Sequence, residues 1–194
     1  TADTLAGPLQ LDVLQAAKRR VSKVVRKRLA EYQAKVGAAG ELAPWKVALH
    51  GGNAERGRDV FQNRRDVQCS RCHKIDGNGG EAGPELTGIG GRQNRDYLLE
   101  ALVSPSAKIA EGFDNVQLEL NGGPEDGGSE FAGVVKRETD AELELVSFED
   151  GRVVINKKDI TFRRKGLSGM PVGLHAMLGR ENLRDLIAYL AGLK

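Results

Sequence analysis

The apolar positions of this 194-residue chain change their period along its length. Over residues 9–36, Leu14, Ala17, Val21, Val24, Val25, Leu29, Tyr32 and Val36 recur at the 3.6-residue spacing of one helical stripe. They predict a single long amphipathic helix, with Pro8 near its start and Gly37 just past its end. Residues 37–52, which include Pro44 and Trp45, read as a connector. A second helix is expected over 53–63, capped by Asn53, with Val60 and Phe61 near its end. A third, over 94–103, places Tyr97, Leu98, Ala101 and Leu102 on one side and stops before Pro105. The closing helix, 180–193, carries Leu183, Leu186, Ile187, Leu190 and Leu193.

Between 114 and 164 the period drops to two. Val116, Leu118 and Leu120 alternate with polar residues, and Leu143 and Leu145 alternate with Glu142 and Glu144. Further strands are expected at 131–137, 152–156 and 160–163, with Asp150-Gly151 as a hairpin turn signal and 122–128 as a loose connection. The pattern predicts four or five short antiparallel strands inserted into an otherwise helical chain, α+β overall.

Composition changes the picture only slightly. Apolar and charged fractions are those of a globular protein, but aromatic residues make up only 5%. A core so poor in large rings leaves room for another flat group, such as a macrocycle. No run of about 18 apolar residues predicts a transmembrane segment, and no basic-then-apolar leader opens the chain. The chain reads equally as a mature protein or as a domain cut from a longer one. Charge is unevenly spread: residues 111–150 are acidic apart from Lys136 and Arg137, while Lys157, Lys158, Arg163, Arg164 and Lys165 form a basic run. Such a run suits fast, reversible docking on an acidic partner. The first helix carries Lys18, Arg19, Arg20, Lys23, Arg26, Lys27 and Arg28. That patch suits nucleic acid, an anionic membrane surface, an acidic protein, or simply solvent. No aromatic interleaving supports nucleic acid, so no nucleic-acid partner is expected.

The chemistry is carried by Cys69-Ser70-Arg71-Cys72-His73, in which the chain's only two cysteines form a CxxCH. Two thiols three positions apart can reach the two vinyl groups on one edge of a porphyrin and form thioethers. A histidine directly after the second cysteine is then carried to the iron as its proximal ligand. A redox dithiol would be expected after a strand in a βαβ setting, which is not predicted here. A zinc site lacks two ligands, because His50 and His175 have no ligand-like spacing to the motif.

A helix ending in an aromatic residue, then CxxCH, then Gly83-Pro84-Glu85-Leu86 resembles class I cytochrome c. The resemblance implies that the Pro84 carbonyl accepts a hydrogen bond from the second ring nitrogen of His73. It also implies a methionine as the sixth iron ligand, from a loop ahead of the last helix. Met170, in Gly166-Leu167-Ser168-Gly169-Met170-Pro171, is the favoured candidate. Met177, in a short helical segment over 173–178, reads rather as core filler; it, His175 or an open site remain as alternatives. His/Met ligation implies a closed, relatively high-potential iron.

A wider series consists of Gly57-x-x-Val60-Phe61, CxxCH, Asp76-Gly77-x-Gly79-Gly80, Gly83-Pro84-x-Leu86-x-Gly88, Tyr97-Leu98-Leu99-Glu100, Ser104-Pro105-Ser106-Ala107 and Met170-Pro171. It resembles the haem-binding domain abundant in planctomycetes and verrucomicrobia, a cytochrome module often found behind a sugar-dehydrogenase-like propeller in secreted proteins. The resemblance implies a mainly α cytochrome c fold over 50–194 with a β insertion at about 114–164. The long basic helix and its connector occupy 1–49. It further implies one covalent haem c with iron, a periplasmic or otherwise exported location, and single-electron transfer between redox partners, the donor a fused or associated dehydrogenase. The chain is then a carrier and not itself an enzyme, since no nucleophile and base pair up in the sequence. Two other readings stand beside it: a haem-based sensor with a displaceable distal ligand, and a peroxidase fragment resting on Glu81 or Glu85.

Overall fold

A computed structural model describes residues 7–121, 129–147 and 150–194. The chain divides into two compact units. The first takes in the chain up to Gln68 with Gly88–Ser104 and Val172–Lys194; the second is Cys69–Thr87 with Pro105–Pro171.

The first unit is helical. The expected single N-terminal helix is in fact two, α1 (Gly7–Lys18) and α2 (Lys23–Gly37). The apolar stripe runs through the break, but the backbone does not: Ser22 sits at φ −58°, ψ 124° as the α2 N-cap, and its carbonyl accepts from Arg26 N. Crowded like charges, with Arg19 four residues before Lys23, disfavour a continuous helix there, and serine favours a cap over an interior site. The connector contains a 3₁₀ turn, Ala43–Ala48.

α3 (Ala54–Asn63) starts where expected, with the Asn53 side chain accepting from Arg56 N at 2.9 Å. After the short α5 (Ile89–Arg92), α6 (Arg95–Val103) is capped in the same way by Asn94, which accepts from Tyr97 N. The last helix, α7 (Leu174–Gly192), is interrupted at Gly179 (φ 69°, ψ 168°), so the expected short segment and closing helix run on through one break.

The core of this unit is the packing of α3 and α6 against α7. Val60, Phe61, Leu98, Leu99, Leu102, Val103, Leu183, Leu186, Ile187 and Leu190 are all buried. Gly57 lets α3 press directly on the α7 backbone: a Cβ there would overlap the Asp185 carbonyl and come within 2.8 Å of Tyr189 Cβ. The buried Asp185 carboxylate ties the same two helices, accepting from Asn53 N and Arg56 Nε, each at 2.7 Å.

The second unit begins with one helical turn, α4 (Cys69–Cys72), and a small hairpin, β1 (Lys74–Ile75) with β2 (Asn78–Gly79). Asp76 and Gly77 take positive φ, 50° and 75°, as a two-residue primed turn requires. Five strands follow: β3 (Asn115–Leu120), β4 (Ser129–Glu138), β5 (Glu142–Ser147), β6 (Gly151–Asn156) and β7 (Ile160–Lys165). They form one antiparallel sheet in the order β6-β5-β4-β3-β7. The expected connection at 122–128 lies outside the described residues.

One face of the sheet collects Val116, Leu118, Leu143, Leu145 and Ile155. This is the face that strand alternation selects. The edge strand β7 exposes Arg163, Arg164 and Lys165, which discourages pairing with another sheet.

Glu138 joins β4 to β7. Arg163 donates to both of its carboxylate oxygens, at 2.7 and 3.0 Å, and Lys157 Nζ lies 2.8 Å away. Arg163 first and Lys157 second lower its pKa from 4.5 to about 2. The depressed carboxylate therefore contributes stability above pH 4.5 and loses it as the pH falls towards 2. Glu138→Gln is expected to lower the denaturation midpoint modestly at pH 7, the deficit shrinking progressively between pH 4.5 and 2. Denaturant titrations at three pH values check this; a deficit independent of pH would contradict it.

Candidate functional site

In α4, residues three and four apart share a face, and His73 N bonds to the Cys69 carbonyl at 3.0 Å, continuing the turn. Cys69, Cys72 and His73 are thereby gathered on one helical turn. The cysteines form no disulfide and are both half-buried. Burial pushes the Cys72 thiol up, and Arg71 offsets this only in part. A redox dithiol requires the reverse shift, towards thiolate.

The chain after the motif folds back onto it. Gly80 N bonds to the Ser70 carbonyl, Gly83 N to the Cys72 carbonyl at 2.7 Å and Leu86 N to the Lys74 carbonyl at 2.8 Å. Gly83 lies flat against the imidazole of His73, where a Cβ would come 2.5 Å from Cε1. This close approach delivers the next residue's carbonyl: His73 Nδ1 lies 2.8 Å from Pro84 O. A carbonyl can only accept, so Nδ1 carries the proton and Nε2 of the neutral ring keeps its lone pair. Desolvation pushes the His73 pKa below its ordinary value, the Pro84 carbonyl opposing, so the neutral ring is favoured. A neutral imidazole held at one nitrogen and open at the other is the donor that a haem iron takes.

Met170 belongs to the same unit, on the arm that leaves β7. Gly166 N bonds to the Asn115 carbonyl at 2.7 Å; Ser168 N then donates to Ser106 Oγ at 3.1 Å, and Met170 N donates to Ser168 Oγ at 3.2 Å. Three successive bonds thus anchor the arm up to the half-buried methionine. The other candidates lie in the first unit. Met177 is 49% exposed and is not core filler. The His175 ring packs edge-on to Trp45 with centroids 4.6 Å apart, and the His50 ring packs against Gly7.

An ionic network beside the motif is not legible in the sequence. Glu81 accepts from Lys74 at 2.5 Å and from Arg152 at 2.8 Å, and Arg152 also binds Glu144, which binds Arg137. Lys74, then Arg152, hold the Glu81 carboxyl below its ordinary range. Glu81 has no proton to give at neutral pH, and Glu85 accepts from Thr87 Oγ1 at 2.7 Å. That charge state does not suit Glu81 to the role of a peroxidase acid. Among the described residues, no three His, Cys, Asp or Glu side chains gather as a metal-ion site.

The family model described as Cytochrome c matches residues 54–121, from the start of α3 to the end of β3. No curated protein matches the chain. The matched domain carries covalently attached haem c with iron, and Cys69 and Cys72 fit its attachment site. It supports a class I cytochrome c with a haem-binding, electron-transfer role and redox partners. Among the described residues, no helix is long and apolar enough to cross a membrane.

Proposed function

We propose that the chain is a monohaem electron carrier in which Cys69 and Cys72 hold the porphyrin, His73 Nε2 is the proximal ligand and Met170 the distal one. The observation that carries this reading is the bond between His73 Nδ1 and Pro84 O, which presents Nε2 as a bare donor. Haem c bound there supplies a one-electron ferric/ferrous couple. Each residue then has a separate task. The thiols of α4 fix the group in place. Pro84, whose ring restricts its backbone, keeps the imidazole in one tautomer and one orientation. The Met170 thioether, a weak donor, favours the reduced state and raises the potential. Ser106 and Ser168 steady the arm that bears it.

Residues 50–194 on this reading are one cytochrome c domain interrupted by the β3–β7 sheet. Electrons come from a dehydrogenase, fused or associated, and leave for a second redox protein. The support for that donor is the likeness to haem-binding domains that follow sugar-dehydrogenase-like propellers. The compartment is periplasmic or otherwise exported, because bacterial haem is joined to reduced thiols outside the cytoplasm.

Met170→Ala tests the distal ligand. The oxidised intact protein is expected to show a far-red thioether-to-iron band, and its reduced form to be inert to carbon monoxide at neutral pH. The variant is expected to lose the band, to bind carbon monoxide and to drop in potential by on the order of 100 mV, within the ~0.8 V that axial ligands span. Retention of the band in the variant would remove Met170 from the site.

A further inference from the structure

We propose that residues 18–28, at the joint between α1 and α2, form a docking surface for an anionic lipid membrane. Lys18, Arg19, Arg20, Lys23, Arg26, Lys27 and Arg28 are all exposed. The sequence places no acidic residue between Asp12 and Glu31. Among the described residues, the cluster's one ion pair is Lys27 with Glu31, at 4.0 Å and well exposed.

Folding gains little from this arrangement. The first turn of α2 contains no acidic residue and begins with Lys23 and Arg26, cations at the positive end of the helix dipole. α2 has no buried residue, and the side it turns inward, through Val25, Leu29, Tyr32 and Val36, is only half-buried. A helix that costs itself electrostatically at its start is better explained by an anionic surface outside the protein than by its own fold.

The valines decide which anionic surface. Val21 is 80% and Val24 63% exposed, in the midst of the cations. A lipid interface takes both kinds of side chain: headgroup phosphates meet the lysines and arginines, while small apolar groups enter the acyl boundary a few ångströms deeper. The long basic side chains can rest their methylenes at that boundary with their charges in the headgroup layer. A polynucleotide would draw on the charges but gain nothing from valine, and the segment offers no aromatic ring for a base to stack on. An acidic protein would engage cations on one side of the joint, whereas these flank Val21 on both sides along the chain.

The test is co-sedimentation of the haem-loaded protein with vesicles of 30% phosphatidylglycerol in phosphatidylcholine, against vesicles of phosphatidylcholine alone. Binding is expected only to the anionic vesicles and is expected to weaken strongly in high salt. The triple variant Arg19→Gln, Arg20→Gln, Lys23→Gln should bind roughly a hundred-fold more weakly, at about five-fold per cation. Val21→Ser with Val24→Ser leaves the charge unchanged and should still weaken binding several-fold. The positions are exposed, so an unchanged haem spectrum and far-UV circular dichroism certify the fold of each variant. Absence of binding to anionic vesicles overturns the proposal. So does a triple glutamine variant that binds like the parent, which would place the lipid-binding surface elsewhere on the chain.

Discussion

Acid acetone is expected to strip all the pigment from a Cys69→Ala, Cys72→Ala double variant, while the intact protein should keep its haem through the same extraction. The expectation follows from α4, where the two cysteines share one face of a single turn and form no disulfide. Thioethers from these sulfurs survive denaturation; coordination by His73 alone does not. Either single variant retains one thioether, so its haem resists extraction, and the vinyl group left unsaturated shifts the pyridine haemochrome band to longer wavelength. Three extractions and three spectra therefore separate double, single and absent attachment. An intact protein that surrendered its pigment, or never acquired any, would contradict both the attachment and the carrier reading built on it.

Gly57→Ala is expected to destabilise the protein by about 3 kcal/mol, at the upper end of what overpacking costs. For a chain of this size that lowers Tm by roughly 6–12 °C. The added methyl meets the Asp185 carbonyl, which belongs to the backbone of α7 and cannot rotate aside. α3 and α7 must separate, and their separation also strains the bonds from Asn53 N and Arg56 Nε to the Asp185 carboxylate. Removing a partner from such a buried charge is expensive in its own right. Gly91→Ala in α5 is the control: a Cβ there has nothing within 4 Å, so its Tm should hardly move. Thermal melts of both variants followed by circular dichroism decide the matter. Equal stability of Gly57→Ala and the parent would mean that the two helices do not meet at Gly57.

What the sequence disclosed and what it withheld divide along the range of the interactions. The caps at Asn53 and Asn94 were readable because a cap is local, a side chain serving a backbone donor three residues on. The alternation in β3 and β5 likewise revealed strands and the face they bury. The neighbours of each strand were not readable, because alternation is the same whichever strand lies alongside, and β3 pairs with β7 across forty residues. The β1–β2 hairpin was missed although Asp76-Gly77 is the same dipeptide signal as Asp150-Gly151. Strands of two residues are too short to show any alternation.

The N-terminal break was missed for the opposite reason. The apolar stripe continues in register through Arg19–Ser22, and only charge crowding and a serine mark the interruption. In the candidate site, Cys69, Cys72, His73 and Pro84 could be grouped from the sequence because they all fall within sixteen residues. The partnership of Glu81 with Arg152 spans 71 positions and could not be read from spacing. Met170 stood out by its loop, but the serines that steady it belong to segments 62 residues apart.

The pairing of β3 with β7 brings the two ends of the sheet side by side: Val116 lies opposite Lys165, and Gly166 N bonds to the Asn115 carbonyl. A segment whose first and last residues adjoin can be lifted out, or replaced by another of different size, with a short splice and no stretching of the flanking chain. The five strands thus have the anatomy of an exchangeable cassette, seated immediately upstream of the arm that bears Met170. Swapping the cassette is accordingly a way to alter what surrounds that arm while the helical scaffold keeps its own connections.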